Sequence, residues 1–487
     1  MGKIGVKNFI NGPEGFTPDN EFCLGETEVG GFYVAAGFCA HGIAGAGGIG
    51  KIMAEWVLSG EPPADLWHMD IRRFGASYQS PSFTMQRVRE NYEAYYDIHY
   101  PGEERRSARP LKMSPIYDWH KNSGAVFGEK AGWERVNYYQ PHETDSSLRP
   151  FGWAGKHWSS AVVIEHRATR DSAGLFDESS FAKFTVTGRR ASEFLNNVCA
   201  NDIDRGVGRT VYTQVLNTRG GIECDFTVTR IAEDSFLIVT GTAFGTHDLG
   251  VIKKHARDLG FDDIVVADVT IELACFGLWG PNARKILARV TDDDISADGF
   301  KFLHSREITV GGILTRATRI TYVGELGWEF YAPTNRGLEL WNVLVGAGRQ
   351  DGLMACGYRA IESLRLEKGY RAWGMEINSD TTPWEAGLGF AVALAKPNFV
   401  GREALVLSRG TESRRLISIH FDDIRRVPLG NEPISIGGEV VGRVKSGGQG
   451  FTIGKAIANA YLPIMHCSTG TSVEVEFFGE LVSGTVV

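Results

Sequence analysis

One aspartate in this chain stands where a carboxylate could do chemistry. Asp225 comes four residues after the glycine pair Gly220-Gly221 and directly before the alternating run Phe226–Arg230. A glycine pair followed by alternation of period two predicts a tight hairpin turn and a half-buried strand. A carboxylate held there can accept a proton or stabilise a developing positive charge. Asp225 is therefore our candidate catalytic residue, and the alternative is a strand-edge aspartate that accepts a turn hydrogen bond.

Strand alternation also predicts the orientation of the two residues before Asp225. In a regular strand Glu223 points to the same side as Asp225, and two neighbouring carboxylates would raise the pKa of one of them. A solvated glutamate at the strand end is the alternative. Cys224 alternates to the opposite face, where we expect a thiol buried in the core.

Metal-binding patterns are absent from the sequence. The seven cysteines include no C-x-x-C pair, and no neighbouring histidine has the spacing that assembles four zinc ligands. We therefore expect free thiols and no metal site. His157, His166 and His247 could each face a cleft, and for each of them a structural role in the core is the alternative.

Further segments carry a resemblance to a known family. In chain order they are Gly174–Asp177 (GLFD), Tyr322–Tyr331 (YVGELGWEFY), Glu362–Gly374 (ESLRLEKGYRAWG) and Thr382–Leu388 (TPWEAGL). Together with the segment around Asp225, and in the same order and spacing, they resemble the folate-binding aminomethyltransferase of the glycine cleavage system. The resemblance covers roughly residues 150 to 487.

The residues before position 140 resemble segments that occur in a smaller set of proteins than the aminomethyltransferases. Phe32–Gly50 is similar to the closing strand and helix of an amine-oxidising flavin domain. Asp70–Gly75, Tyr96–Pro101 and Gly128–Arg135 are similar to the segment that joins the flavin and folate domains of dimethylglycine and sarcosine dehydrogenases. The whole chain thus resembles the carboxy-terminal portion of that family, without its amino-terminal FAD-binding half.

The resemblance and the local patterns together predict the fold class. We expect a multidomain α+β chain with a folate-binding aminomethyltransferase-like core and a small C-terminal β barrel or sandwich. An incomplete flavin-domain tail and a linker subdomain should precede them. The expected segments are 1–75 (flavin-domain fragment), 76–145 (linker), 146–390 (aminomethyltransferase folate-binding domain) and 391–487 (C-terminal barrel domain).

Hydrophobic periodicity predicts individual elements within these segments. The expected strands are Phe184–Thr187, Phe236–Val239, Thr318–Tyr322, Leu416–His420, Glu439–Val444 and Val473–Phe477. The expected helices are Met85–Tyr96, Ala191–Val198, Thr246–Leu259 and Arg336–Ala347.

The segment Gly45–Gly50 satisfies the pattern G-x-G-x-x-G and precedes the helical run Lys51–Leu58. A dinucleotide site also needs a complete βαβ unit with a second acidic strand end, whereas this helix runs into Pro62-Pro63. We expect instead a glycine-rich turn and a helix N-terminus that approaches a flavin ring only if the rest of that domain is supplied. Gly42 and Ile43 are the residues expected at this residual flavin contact.

The resemblance also assigns the folate site. Asp225 matches the family aspartate beside the folate nitrogen atoms, and Glu329 matches the position that pairs with the pterin edge. Tyr370 matches an aromatic position of the same site, and Tyr212, on the strand before the glycine turn, is a further candidate. The alternatives are a strand-surface glutamate at position 329 and a core aromatic at position 370.

Two departures from the family pattern affect the choice of reaction. Aminomethyltransferases without a flavin half carry an acid where this chain has Cys224 and an arginine where it has Ile361. Both departures count against transfer from an aminomethyl-lipoyl carrier. Arg359 or Arg365 could restore the positive charge, and for Arg365 the alternative is an ion pair with Glu362 on the same helix.

Composition and charge exclude several other classes. The 487 residues are 43% hydrophobic and 23% charged, with a net charge of −8 and no basic block of the kind that tracks phosphates. No apolar run is long enough to span a bilayer, and the amino terminus carries no targeting signal. We expect a soluble protein without nucleic-acid or membrane partners, cytoplasmic in a bacterium or in the mitochondrial matrix in a eukaryote.

The resemblance implies the tetrahydrofolate-dependent one-carbon transfer part of a dimethylglycine or sarcosine dehydrogenase-like FAD-dependent oxidoreductase. In that family flavin oxidation of an N-methyl amine gives an iminium, whose carbon is captured as 5,10-methylenetetrahydrofolate. This chain would carry only the capture half, with FAD only if the missing amino-terminal domain or a separate FAD subunit supplies the site. The alternatives are a stand-alone glycine-cleavage-type aminomethyltransferase and a non-catalytic regulatory homologue.

Overall fold

The structure, a computed structural model, describes residues 5, 7, 8, 11–140 and 145–487. They form two compact units: the residues up to Asp97 with Arg106–Ala108, and Ile98–Arg105 with Arg109–Val487. Within the described ranges, no helix combines the length and the hydropathy needed to cross a membrane.

The first unit contains a two-stranded hairpin and two long helices. Its elements are β1 (Cys23–Glu26), β2 (Tyr33–Ala36), α1 (Gly42–Ser59) and α2 (Pro81–Glu93). Buried Trp56 of α1 packs on Gly25 of β1, where a Cβ atom would lie 2.4 Å from the indole ring. The predicted helix Met85–Tyr96 corresponds to α2, which begins earlier because Pro81 is well suited to the first helical turn.

The course of α1 contradicts the predicted glycine-rich turn. Gly45–Gly50 lies inside the helix, and the Gly45 N–H donates to the His41 carbonyl at 2.8 Å. The turn was predicted from the glycine-rich pattern of this segment, and the packing of Trp56 in the same helix outweighs the low helix propensity of glycine. These glycines therefore form no phosphate-binding loop. Gly42 and Ile43 are the first two helical residues, and Ile43 is fully exposed.

The second unit opens with a helix and a hairpin and continues through an α+β body. Its first elements are α3 (Tyr117–Asn122), β3 (Ala125–Lys130), β4 (Trp133–Tyr139), α4 (Ala161–Asp171), β5 (Ala173–Asp177), β6 (Ala182–Thr187), α5 (Ala191–Val198), β7 (Thr210–Leu216), β8 (Ile222–Ala232), β9 (Ser235–Thr240), α6 (Gly245–Asp258) and β10 (Val265–Asp268). The body is completed by β11 (Leu273–Trp279), α7 (Ala283–Leu287), β12 (Ser305–Val310), β13 (Ile313–Thr318), β14 (Gly327–Pro333), α8 (Gly337–Gly348), β15 (Leu353–Cys356) and α9 (Tyr358–Glu367).

Two sheets organise this body. One has five antiparallel strands in the order β10-β6-β9-β8-β7. The other has six strands in the order β12-β13-β14-β11-β5-β15, in which β15 runs parallel to β5 and the remaining neighbours are antiparallel.

Each sheet packs helices on its outer face and meets the other sheet through its inner face. Helices α5 and α6 share a core with Phe226 of β8, and α7 and α8 share one with Trp328 of β14. The inner faces meet where Leu237, Cys275 and Tyr331 pack together. Because side chains alternate along a strand, neighbours of the outward core residues point into the space between the sheets.

A closed six-stranded barrel follows the body, with the strand order β16-β19-β18-β17-β20-β21. Its elements, with the helix that precedes them, are α10 (Arg402–Ser408), β16 (Arg414–Phe421), β17 (Pro433–Ile436), β18 (Glu439–Gly450), β19 (Lys455–Pro463), β20 (Ser472–Phe477) and β21 (Glu480–Val486). Pairing of Ile419 with Val486 closes the ring. The predicted class, an α+β core followed by a β barrel, is confirmed.

One predicted strand is wrong. The run Thr318–Tyr322 was expected to be extended, but β13 ends at Thr318. The Thr321 hydroxyl oxygen accepts the N–H groups of Val323, Gly324 and Glu325 at 3.2, 3.0 and 3.2 Å. A threonine that caps a turn in this way competes with the strand ladder for the backbone.

Candidate functional site

A fixed turn positions Asp225. The Asn217 side-chain oxygen accepts the N–H groups of Arg219 and Gly221 at 3.1 and 2.9 Å, and Gly220 has a φ of +85°. Gly221 has no room for a side chain, because a Cβ atom would lie 1.8 Å from the Ser379 carbonyl oxygen. The predicted glycine turn is therefore present, and β8 leaves it in a fixed register.

The carboxylate of Asp225 points to the inner face of its sheet. Cys224 and Phe226, on either side of it, pack into the outer core, so the half-buried Asp225 faces the other sheet. The Gln214 amide donates to Asp225 Oδ1 at 3.0 Å from the neighbouring strand. Burial raises the pKa of Asp225 to about 6, although hydrogen bonds from Tyr212 and Gln214 partly offset this and the charge of Asp248 adds to it.

A β-bulge separates Glu223 from Asp225 and makes the predicted carboxylate pair wrong. Val215 pairs with Cys224 and Leu216 with Ile222, so the ladder skips Glu223. Glu223 instead lies 3.3 Å from His247 Nε2 on α6. The premise of a regular strand fails here, and Asp248 is the acid whose charge raises the pKa of Asp225.

His247 joins this bulge to α6. Its Nδ1 lies 3.0 Å from Asp248 Oδ1, which together with Glu223 places a carboxylate at each ring nitrogen. Burial alone would lower the pKa of His247, but the hydrogen bonds and charges of Asp248 and Glu223 outweigh it and raise the pKa to about 10. His247 is therefore a buried cation between two acids.

Among the described residues, one group has donor atoms close enough for a metal ion. Atoms of Cys224, His247 and Asp248 all lie within 4.8 Å of one another, and all three side chains are buried. Both nitrogen atoms of His247 already contact carboxylates. A doubly protonated imidazole ring explains these two contacts without a metal ion. The prediction that Cys224 is a core thiol is confirmed by its burial.

Aromatic rings collect around Asp225. Tyr212 stacks on Phe390 with the ring centroids 6.0 Å apart, and Tyr322 stacks on Tyr370 at 5.9 Å. The Tyr322 hydroxyl donates to the Arg371 carbonyl at 2.9 Å. The charge of Asp225 contributes to raising the pKa of both Tyr212 and Tyr322, after the larger effect of burial. The structure thus brings Tyr212, Tyr370 and Asp225 into one neighbourhood through Tyr322, which the sequence analysis missed.

Glu329 occupies the inner face of the other sheet. Trp328 and Phe330, on either side of it in β14, belong to the outer core, and Glu329 is 8% exposed. The Tyr331 hydroxyl donates to its carboxylate. Burial raises the pKa of Glu329, and the Tyr331 hydrogen bond partly offsets the rise.

A second glutamate beside Glu329 also escaped the sequence analysis. Glu178 directly follows β5, is fully buried, and neither of its carboxyl oxygens has a hydrogen-bond partner among the described residues. Burial raises its pKa well above the usual range, the charges of Glu329 and Asp177 add to this, and Lys183 opposes it. The sequence offered one signal that could have identified Glu178: it is an acidic residue directly after a strand that is buried.

Asp225 and Glu329 lie on the inner faces of the two facing sheets. Thr227, on the face of Asp225, pairs with Val239, which packs against the cluster that contains Tyr331, the hydroxyl partner of Glu329. A carboxylate on each side of an apolar and aromatic space suits a planar ligand with hydrogen-bond donors.

The two candidate arginines have structural partners. Arg365 Nη1 lies 2.6 Å from buried Glu376, and Arg365 Nη2 lies 3.0 Å from Glu362, so the ion pair expected within the helix is present. Arg359 donates to the carbonyl oxygens of His157 and Gly102 at 2.5 and 2.9 Å. Neither guanidinium is directed to Asp225 or Glu329 by these contacts, and Ile361 is buried among apolar side chains.

The other candidate histidines also have structural contacts. His166 Nδ1 lies 2.5 Å from the Ser363 hydroxyl, and Nε2 lies 2.9 Å from the Thr452 hydroxyl, which ties α4 to α9 and to the loop after β18. The His157 ring lies 6.3 Å from the Tyr100 ring, and its carbonyl accepts Arg359. These contacts match the structural alternative for both residues.

Comparison with known proteins identifies the family. The model of the GCVT N-terminal domain matches residues 116–396, that of the glycine cleavage T-protein C-terminal barrel domain matches 414–487, and that of the FAD dependent oxidoreductase central domain matches 59–114. The chain belongs to the GCVT family of aminomethyltransferase-type proteins, as the sequence analysis predicted.

Two curated relatives show how much of this chain is similar to a dehydrogenase and how much to an aminomethyltransferase. Dimethylglycine dehydrogenase, mitochondrial, of Mus musculus is 36% identical over 491 residues, which cover 100% of this chain and 56% of the relative. An aminomethyltransferase of Symbiobacterium thermophilum is 34% identical over 381 residues, covering 77% of this chain and 96% of the relative. The chain thus spans about half the length of the dehydrogenase relatives.

A solved structure supports the fold assignment. The crystal structure of glycine cleavage system aminomethyltransferase T from Bartonella henselae superposes with a TM-score of 0.66 and 30% sequence identity. The match covers 77% of this chain and 96% of that chain.

Proposed function

We propose that this chain is the tetrahydrofolate-dependent one-carbon transfer part of an N-methyl amine dehydrogenase related to dimethylglycine and sarcosine dehydrogenases. It passes the carbon of an iminium to tetrahydrofolate, giving 5,10-methylenetetrahydrofolate. The observation that carries the proposal is the position of Asp225 and Glu329 on the inner faces of two facing sheets, with the rings of Tyr212 and Tyr322 near Asp225. Family membership supports the same assignment.

The residues of the space fit a reduced pterin. Glu329, with one oxygen occupied by Tyr331, can accept the ring N–H and amino donors through its remaining lone pairs. Tyr370 and Tyr322 offer aromatic faces, and Tyr212 stands beside Asp225. When bound, tetrahydrofolate supplies the two nitrogen atoms that carry the one-carbon unit.

In this proposal Asp225 is the proton acceptor and the group that stabilises positive charge. Its carboxylate, with a pKa of about 6 and an anchoring hydrogen bond from Gln214, accepts a proton near neutral pH. In its ionised form it also stabilises positive charge that develops beside it during transfer.

The oxidation half is assigned to a longer parent chain or to a separate FAD subunit. The described residues before 97 hold a helix where a phosphate loop would have to be, so they do not form a complete FAD site. We propose only an edge contact, from Gly42 and Ile43 at the start of α1, to a flavin held elsewhere. We also propose the division into segments 1–75, 76–145, 146–390 and 391–487.

The test is anaerobic calorimetric titration of the 487-residue chain with tetrahydrofolate. We expect saturable binding that Glu329→Gln weakens by about 10-fold or more, because a neutral amide cannot accept both ring donors equally well. Glu307→Gln is the matched control, since Glu307 is 55% exposed on the same sheet. Absence of binding in the folded wild-type chain would refute the proposal and favour a regulatory role without folate.

A further inference from the structure

The carboxyl group of Glu178 is a buried polar group that the fold does not satisfy. The residue is fully buried, and neither oxygen atom has a partner among the described residues, although its backbone N–H donates to the Cys275 carbonyl at 2.8 Å. Nearly all buried polar groups in native proteins are paired, and an unpaired one destabilises the free protein. The backbone partner of Glu178, Cys275, packs with Tyr331 where the inner faces of the two sheets meet, so a ligand that enters between the sheets, in the cleft of the proposed folate site, is the partner expected for this carboxyl group.

The polar neighbours of Glu178 are already committed to other partners. Asp177 accepts His120 Nε2 at 2.9 Å and the Ser179 N–H at 3.0 Å. Lys183 Nζ donates to the Ser179 carbonyl at 2.8 Å, and Glu329 accepts the Tyr331 hydroxyl. Asp177 and Glu329 could turn toward Glu178 only by giving up these hydrogen bonds. The Lys183 ammonium, held at the Ser179 carbonyl, makes no hydrogen bond to the Glu178 carboxyl group among the described residues.

The neighbouring acid determines which form of the carboxyl group is present. Two buried carboxyl groups in electrostatic contact do not both ionise readily, and burial acts in the same direction. Glu178, which lacks any hydrogen bond that would favour its anion, keeps the proton, while Glu329 has the Tyr331 hydroxyl to stabilise its charge. The two side chains thus present an O–H donor next to an acceptor.

We propose that Glu178 is a ligand-contacting and specificity-determining residue of this cleft, which donates an O–H hydrogen bond to a ring carbonyl adjacent to the N–H donors that Glu329 accepts. This inference rests on the proposed folate function. With this contact, Glu178 selects pteridines in the 4-oxo form, in which the ring carbonyl is adjacent to a ring N–H. A 4-amino ring presents a donor at the same position and would face a second donor.

Ionisation of Glu178 cannot easily rescue binding of the 4-amino ring. An ionised Glu178 could accept from the amino group, but it would then be a buried anion beside ionised Glu329. The pair therefore discriminates by an unfavourable contact with the wrong ligand as well as by a favourable contact with the right one.

The test compares tetrahydrofolate with tetrahydroaminopterin, its 4-amino analogue, by calorimetry. The wild-type chain should bind tetrahydrofolate about 10- to 100-fold more tightly. In Glu178→Leu we expect tetrahydrofolate affinity to fall by about 10-fold while the analogue binds as before, so that the preference narrows by about 10-fold; the remainder comes from Glu329, which loses a ring N–H donor in the 4-amino ring. Glu178→Gln keeps an N–H donor and should retain tetrahydrofolate binding within about threefold.

Thermal stability without ligand supplies the second readout. Glu178→Leu should melt at a higher temperature than the wild type, because it removes a buried group without a partner. Glu165→Leu is the matched control: Glu165 is also buried, but its two oxygens accept the N–H groups of Tyr139 and Gly357 at 2.7 and 2.8 Å. That variant should melt at a lower temperature.

The outcomes separate the two proposals. If the folded wild type binds neither ligand, the proposed folate function fails and this inference fails with it. If Glu329→Gln weakens binding but Glu178→Leu keeps the wild-type affinity and preference, the folate function stands and the role of Glu178 is refuted. An equal loss of both ligands, or a lower melting temperature of the free Glu178→Leu protein, would also refute it by indicating a structural role.

Discussion

At the scale of single residues, environment gives chemically identical side chains different roles. Asp225 is half-buried and hydrogen-bonded by Gln214, the Glu178 carboxyl group is fully buried with no hydrogen-bond partner in the described part of the chain, and Glu362 is 52% exposed beside Arg365. Burial disfavours the charged form of a carboxyl group, and hydrogen bonds to the anion restore it. Burial therefore raises the pKa of Asp225 and of Glu178, whereas Glu362 is an ion-pair partner at the surface.

The pKa of Asp225 leads to a residue-scale prediction. The rate of 5,10-methylenetetrahydrofolate formation from tetrahydrofolate and formaldehyde, above the protein-free rate, should rise with pH through about 6, because only the carboxylate accepts a proton. Asp225→Asn should lower that rate by about 30- to 1,000-fold and abolish the rise. Gln214→Leu should move the rise to higher pH by removing the amide that stabilises the anion.

The control for this pH profile is Glu233→Gln, since Glu233 has an 87% exposed side chain in the turn that follows the same strand. It should leave the profile unchanged. A wild-type profile that is flat between pH 5 and 7, or an Asp225→Asn variant with the wild-type rate, would show that Asp225 has no catalytic role.

At the scale of elements, an irregularity in one strand connects a sheet to its covering helix. The bulge at Glu223 turns its carboxylate to His247 on α6, and Asp248 of the same helix is hydrogen-bonded by Thr240 at 2.6 Å at the end of β9. Bulges often redirect a side chain beside a functional residue. Here the redirected acid holds a buried cation close to the strand that carries Asp225.

His247 makes stability depend on pH at this junction. Its pKa is raised to about 10 in the folded protein from an ordinary value near 6.5. The stabilisation is therefore fully present below about pH 6.5 and is lost as the pH rises through about 10. The free energy of unfolding of the wild type should fall by about 2 to 4 kcal/mol across that range, whereas His247→Gln should lack this contribution.

Urea unfolding at several pH values measures this difference. His99→Gln is the control, because the His99 side chain is 70% exposed and its replacement should leave the pH dependence as it is. Parallel pH curves for the wild type and His247→Gln would show that His247 is not a buried cation.

At the scale of the whole molecule, the barrel is attached to the α+β body through buried polar contacts. Glu376 lies 2.6 Å from Arg365 of α9, and it also accepts the side chains of Ser446 in β18 and Asn459 in β19. The side chains of Arg365 and Glu376 are 2% and 0% exposed. Such a pair tolerates the loss of one partner poorly, because the remaining charge stays buried.

A comparison of two partners of Arg365 tests this attachment. Glu376→Ala should lower the free energy of unfolding by about 3 to 5 kcal/mol, because it leaves a buried guanidinium and two barrel side chains without their acceptor. Glu362→Ala removes the other carboxylate of Arg365, which is 52% exposed, and should cost about 1 kcal/mol or less. Equal effects of the two variants in thermal or urea unfolding would contradict this view of the interface.

Several features follow from local rules and were predictable from the sequence. Helix α5 has the predicted bounds Ala191–Val198, and the turn before β8 has the glycines that its geometry needs. The burial of Cys224 follows from strand alternation alone. In each case the sequence signal lies within a few residues, so propensity and periodicity were sufficient to predict the feature.

The remaining features depend on contacts between distant parts of the chain. Whether Gly45–Gly50 forms a turn or a helix depended on Trp56 packing against β1, and whether Glu223 faces Asp225 depended on a bulge and on His247. The sequence by itself determined the family, the α+β core with its barrel, and the strand that carries Asp225. Only the tertiary structure decided that Glu178 is buried without a partner beside Glu329, because burial and pairing are set when the two sheets pack together.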